Sequence, residues 1–353
     1  MKQLTSLLIL FITLSCGHKR TQEPKEPLPY ASEEVTFKSL QGDITLHGTF
    51  TTPKDSLAQK AVILITGSGP QDRDYTNQFD HRPFLVLSHY LTERGIAVLR
   101  YDERGVGESD GDYKKATHED LVSDAAGGIS FLRQHGFKQI GIIGHSQGGG
   151  IAPLADQQQK VDFIVSMAGV GVTADKILSY NTNHRLEKMG IDESMRNEIV
   201  ATIDSLLSIL KKEPDTGVAR RKMEEFMTAK ERTASSQYKE VAGRLGNPQA
   251  LIDAWLDPKF IYSLHNDPLV DWRKVRVPVL MLYGDDDGTI DINKRRPDFE
   301  LALDSTEHEI KIFNGLGHLF MNKNELPMHK IKEVEETIAP EVLEFIYTWI
   351  NLR

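Results

Sequence analysis

Five short runs in this chain, residues 61–65, 96–100, 140–143, 163–167 and 277–283, are apolar along almost their whole length. A strand with one wet face alternates apolar and polar residues, so unbroken runs of this kind belong to strands covered on both sides. Helical spacing appears between them. Leu121, Ala125, Ile129 and Leu132 recur at steps of three and four within residues 120–135, and residues 89–94 and 148–155 read as further helices. A last helix at 340–350 carries Val342, Phe345, Ile346, Trp349 and Ile350 on one stripe. Strands alternating with helices predict an α/β fold, a mostly parallel sheet flanked by helices. Short β-type segments at 35–37 and 44–50 precede the alternation, and 309–313 supplies a late strand.

The rhythm stops near residue 172 and resumes near 273. Met195, Ile199, Ile203, Leu206 and Leu210 form a helical stripe within this stretch, and no convincing strand accompanies them. An insertion at such a place commonly covers the crevice at the strand C-termini. The expected division is a core of 32–171 and 273–353 with a helical cap at 172–272. The cap aromatics Tyr180, Phe226, Trp255 and Tyr262 are expected to be mostly core. A net charge of -9 argues against a nucleic-acid partner, which would call for a basic face.

The first residues, MKQLTSLLILFITLSC, place a lysine before a short apolar core and end on the only cysteine, Cys16. That core is too short to span a bilayer and suits a secretory signal. Ser15-Cys16 resembles a bacterial lipoprotein cleavage site, although Thr13 stands where leucine is usual. The expectation is a signal at 1–16, lipidation of Cys16, a tether at 17–31, and an exported protein anchored at the envelope. A single cysteine excludes intramolecular disulfides.

Residues 144–148 read Gly-His-Ser-Gln-Gly. G-x-S-x-G alone is weak, arising by chance in roughly one chain of this length in ten. Here it joins a strand to a helix, the setting of a nucleophile elbow, in which a serine sits strained at the apex of a sharp turn. Gly144 and Gly148 lack the Cβ atoms that would clash at such a turn.

A serine needs a base, and the base needs an acid to orient it. In a sheet of this kind they follow in the order Ser, Asp or Glu, His. Three histidines lie beyond the strand at 277–283: His308 starts a strand at the wrong end of the sheet, and His329 lies in a charged stretch. His318, in FNGLGHLF, follows the strand at 309–313 on the C-terminal edge and is the expected base. Four carboxylates compete in GDDDGTID: Asp285, Asp286, Asp287 and Asp291. Asp287, three residues past Gly284, is the expected acid, with the others capping turns or facing water. The backbone N–H groups of Gln147 and of Ser68, in TGSGPQDRD, are the candidate oxyanion donors. His145 and the Gln147 side chain read as packing or supporting groups.

Together ILITGSGPQDRD, VLRYDERGVGESDGD, IGIIGHSQGG, VLMLYGDDDGTID and FNGLGHLF resemble the α/β-hydrolase superfamily. Within it they resemble the bacterial esterases related to serine aminopeptidases and dienelactone hydrolases. The resemblance implies the same roles for Ser146, Asp287 and His318, and for Ser68 and Gln147 as oxyanion donors. Asp102 and Arg104 are expected to form an ion pair fixing a loop. Asp72, Arg73 and Asp74 are expected to shape the entrance or to contact a polar substrate.

The expected activity is hydrolysis of small-molecule carboxylic esters, short-chain acyl esters in particular, through an acyl-enzyme. The alternatives are a peptidase or amidase on the same triad, acyl transfer to an alcohol, and a non-catalytic surface lipoprotein. No spaced His, Cys, Asp and Glu set stands out, so no metal or organic cofactor is expected.

Overall fold

The computed structural model describes residues 20–54, 59–322 and 328–353. The proposed signal and Cys16 lie outside the described residues. A single sheet organises the core, with strands β1 (Tyr30–Lys38), β2 (Thr45–Pro53), β3 (Lys60–Ile65), β4 (Ala97–Tyr101), β5 (Gln139–His145), β6 (Phe163–Met167), β7 (Val279–Gly284) and β8 (His308–Phe313). Their order is β1-β2-β4-β3-β5-β6-β7-β8. β1 and β2 pair antiparallel and β2 joins β4 antiparallel, while every pairing from β4 to β8 is parallel.

The apolar runs are explained by what covers them. Ala61, Ile63 and Ile65 of β3 point into one hydrophobic layer, and Val62 and Leu64 into the other. The first layer is closed by helices α2 (His118–Gln134) and α3 (Gln147–Gln158), the second by α1 (Pro83–Thr92) and α12 (Pro340–Asn351). The sequence places α1 six residues too late, because its first turn, Pro83-Phe84-Leu85, is buried and carries no polar face for a period to register.

Between β6 and β7 the chain is helical: α4 (Ala174–Lys188), α5 (Glu193–Lys212), α6 (Thr216–Thr233), α7 (Ser236–Gly243), α8 (Pro248–Trp255), α9 (Pro258–His265) and α10 (Leu269–Trp272). Side chains of Asp192, Asp215, Ser235, Asn247 and Asp257 accept the first free N–H groups of α5 to α9, which sets where each begins. Leu206, Leu207 and Leu210 pack with Met223, Ile252, Trp255 and Leu264 in a separate apolar cluster. Trp255 is core and Phe226 partly so, whereas Tyr180 and Tyr262 have other duties described below. The remaining helix, α11 (Ile292–Ala302), follows β7.

The expected tether ends sooner than residue 31. β1 already begins at Tyr30, and the described residues before it lie against the core. Arg20 donates to the carbonyls of Val334 and Phe79, Gln22 to that of Ile338, and Arg82 pairs with Glu23. Polar composition suggests a linker, but these side chains bond to the segments before α1 and α12.

Candidate active site

β5 ends at His145 and α3 starts at Gln147, leaving Ser146 alone at the turn with φ 53°. That left-handed conformation is strained for a residue with a Cβ. The turn is possible because its neighbours are glycines. A Cβ on Gly144 would lie 2.3 Å from the Gly148 carbonyl oxygen, and one on Gly148 2.2 Å from that of Ile65. The Ser146 N–H is anchored to the Met167 carbonyl at 2.9 Å, so the strain is held by the sheet.

The loops after β7 and β8 meet the serine. His318 Nε2 lies 3.0 Å from Ser146 Oγ, and His318 Nδ1 lies 2.9 Å from Asp287 Oδ2. Asp287 is 1% exposed, and its Oδ1 accepts the N–H groups of Thr289 and Ile290 at 2.7 and 3.1 Å. Burial alone would raise its pKa. The hydrogen bond and charge of His318, with the two backbone donors, outweigh burial and hold the carboxyl below its ordinary value. An ionised carboxylate here orients the imidazole, with Nδ1–H toward Asp287 and Nε2 free to take a proton from the serine.

The competing residues have other roles. Asp285 accepts the N–H of Gly315 at 2.6 Å, tying the β7 loop to the loop that carries His318. Asp286 pairs with Lys188 of α4 at 2.8 Å, and Asp291 caps α11. His308 lies at the start of β8 with Nδ1 beside the Thr306 carbonyl. The side chain of His329 lies outside the described residues.

Gln147 is the first residue of α3, so its N–H has no partner within the helix and faces the turn. Ser68 follows Gly67, where an added Cβ would lie 3.2 Å from the Ser146 Cβ. The loop bearing Ser68 is pinned at each step. The Tyr75 hydroxyl packs against Gly67, Tyr113 OH accepts the Gly69 N–H at 3.0 Å, and Gln71 Nε2 donates to the Ser68 carbonyl at 2.8 Å. Glu103 accepts from the Thr66 hydroxyl at 2.6 Å and the Gln71 N–H at 3.2 Å. Its burial pushes the carboxyl up to about 8 despite those donors.

Sequence reasoning missed Tyr75, Glu103 and Tyr113, and the structure gives His145 the supporting role expected of it. His145 Nδ1 lies 3.0 Å from Tyr75 OH and its Nε2 lies 2.9 Å from the His318 carbonyl oxygen. One buried imidazole therefore bridges the Ser68 loop to the His318 loop. Burial pushes its pKa down to about 3, so the ring is neutral. The available signal was position, since His145 precedes the serine and Tyr75 follows GSGPQDRD directly.

The expected Asp102–Arg104 pair is not formed. Asp102 accepts from Arg73 Nη2 at 2.6 Å, and Arg104 makes a two-pronged contact with Asp124 at 2.7 Å and pairs with Asp120. Two residues apart across a turn, they reach different partners. Asp72 accepts the N–H groups of Asp74 and Thr76, and Asp74 pairs with Arg100 and Arg82. All three residues of Asp72-Arg73-Asp74 thus have protein partners that shape this loop. Among the described residues no group of three or more His, Cys, Asp or Glu could hold a metal ion.

A mostly parallel eight-stranded sheet, with a strained serine between β5 and α3 and an Asp and a His after later strands, defines an α/β-hydrolase. The chain belongs to the hydrolase family described as serine aminopeptidase, S33, whose model matches residues 82–325. Esterase EstD of Thermotoga maritima is 26% identical over 303 residues, covering 84% of this chain and 62% of that protein. The chain thus spans less than two thirds of that relative. An acyl transferase of Aliivibrio fischeri is 29% identical over 135 residues, 37% of this chain and 42% of its own. The Pyrococcus furiosus esterase Pf2001 shares the fold at a TM-score of 0.54 and 16% identity, over 95% of this chain and all of that one.

Proposed function

We propose that the protein hydrolyses carboxylic esters through an acyl-enzyme. Ser146 Oγ attacks the carbonyl carbon while His318 Nε2 takes its proton, and Ser68 and Gln147 N–H groups receive the developing oxyanion. His318 then gives that proton to the leaving alcohol as the C–O bond breaks. Water, deprotonated by the same nitrogen, attacks the acyl-serine ester, and as the bond to Ser146 Oγ breaks His318 returns that proton to the serine and the acid is released. Asp287 stabilises the imidazolium in both halves. The observation that carries the reading is the continuous line Ser146–His318–Asp287 at 3.0 and 2.9 Å, ending on a buried carboxylate.

Peptidase action on the same residues has less support. An aminopeptidase needs a free carboxylate for the substrate ammonium. The carboxylates that line the adjoining cavity, Asp253, Asp257 and Asp271, already face Arg220, Lys259 and Lys274 at 2.5, 3.1 and 2.9 Å. A fluorophosphonate probe tests the mechanism: it should label the wild type and not Ser146→Ala. Equal labelling of both would remove Ser146 as nucleophile. Export with lipid attachment at Cys16 is part of the proposal on sequence grounds; it predicts palmitate incorporation that Cys16→Ser abolishes.

A further inference from the structure

A cavity of about 560 Å³ opens beside the elbow, between the sheet and the inserted helices. That volume lies in the middle of the range that encloses a drug-sized molecule. Its core side carries Leu154 and Val170, and its upper side carries Ile177 and Leu178 of α4 with Phe260 and Tyr262 of α9. Tyr262 stacks on His118 at 4.1 Å with the rings 9° from parallel, which turns a polar residue into part of a flat wall. Burial lowers the His118 pKa to about 4 and keeps the ring uncharged. Lys259, also on the wall, donates to the carbonyls of Tyr113 and Ala116 as well as pairing with Asp257.

The position of the cavity says which half of an ester enters it. Ser68 and Gln147 lie on its wall, whereas Ser146, His318 and Asp287 do not. In the tetrahedral intermediate the oxyanion points at Ser68 and Gln147, and the leaving oxygen must touch His318 Nε2 to receive its proton. The alcohol therefore departs on the histidine side. The third substituent, the acyl group, is the one left to pass the oxyanion donors.

We infer that this cavity is the acyl subsite and that the protein is built for esters of large, neutral, mainly apolar acyl groups, octanoyl-sized and above. The inference rests on the ester-hydrolase reading. It replaces the short acyl chain expected from sequence, because an acetyl or butyryl group would leave most of the apolar wall uncovered. Each methylene that enters removes further apolar surface from water, worth about 0.8 kcal/mol, or about fourfold in kcat/KM where transition state and substrate are held alike.

The test is a kcat/KM series on p-nitrophenyl acetate, butyrate, hexanoate and octanoate, with fluorophosphonate labelling of the same preparation. The expected result is a rise of about fourfold per methylene from acetate to octanoate. Ile177→Trp, which fills the cavity from α4, should cut the octanoate-to-acetate ratio at least tenfold. Acetate turned over as well as octanoate by protein that labels at Ser146 would overturn the acyl assignment and leave the hydrolase reading standing. Neither labelling nor turnover of any ester in the series would overturn the hydrolase reading and this inference with it. The wild-type series decides the matter even if the tryptophan variant does not fold.

Discussion

Tyr75→Phe isolates what the buried bridge behind the serine contributes. Tyr75 is held at φ 59°, a conformation that costs energy for a non-glycine residue, and its hydroxyl packs against Gly67 and lies 3.0 Å from His145 Nδ1. Because His145 is neutral it carries one N–H, and the carbonyl of His318 can only accept. Nε2 must therefore donate and Nδ1 must accept from the tyrosine O–H. Removing one oxygen leaves a buried acceptor on His145 without a partner. For one buried polar group left unpaired the loss is about 1–3 kcal/mol. Stability is the smaller readout. The same bonds set the Ser68 N–H and the His318 ring against Ser146, and an ångström of misplacement costs on the order of 100-fold in rate. Tyr75→Phe should melt about 2–4 °C below wild type and lose roughly 10- to 100-fold in kcat, with KM changed by only a few-fold. Thermal unfolding followed by fluorescence and steady-state hydrolysis of one ester measure both. A variant with wild-type melting temperature and kcat would refute the bridge as a positioning device.

Asp287→Asn should reduce kcat by on the order of 10³- to 10⁴-fold while the melting temperature moves little, since the amide oxygen can still accept from Thr289 and Ile290; activity within tenfold of wild type would move the acid elsewhere. Stability should fall as pH drops below about 6.5, because unfolding lets His145 and His118 take protons that their folded pKa values of about 3 and 4 refuse. Glu103 acts on the opposite limb: its folded pKa of about 8 lies above the ordinary carboxyl value, so wild type loses stability as pH rises through that window. Glu103→Gln carries no charge, its amide oxygen can still accept the Gln71 N–H and its amide nitrogen can donate to the Thr66 hydroxyl, so its melting temperature should gain on wild type between pH about 5 and 9. A pH-independent difference between the two proteins would contradict the buried ionisation.

How much of this was legible in the chain depends on how far apart the interacting residues lie. The strands β3 to β7 announce themselves because each is buried on both faces, so about five neighbouring residues carry the signal together. The elbow is local too, with its glycines within two residues of the serine. Asp287 and His318 were reachable through order along the chain. The bridge was not, since its bonds join residues 70 and 173 positions apart, and no periodicity encodes such a pairing. Asp102 and Arg104 mislead for the same reason: opposite charges two residues apart suggest a pair, yet each finds its partners 16 or more residues away. The cavity was illegible because its volume depends on how α4 and α9 sit over the sheet.

The first inserted helix does more than roof the cavity. Tyr180 OH donates to the carbonyl of Asp287 at 3.2 Å, and Asn181 Nδ2 donates to that of Gly288 at 2.9 Å. The helix that roofs the cavity is thereby bonded to the backbone of the residue that holds the His318 imidazole. Exchanging the helices for those of a relative would alter selectivity and basicity together. A graft that keeps the new pocket but omits Tyr180 and Asn181 would bind the new acyl group and turn it over slowly, through an acid loop that has lost its brace.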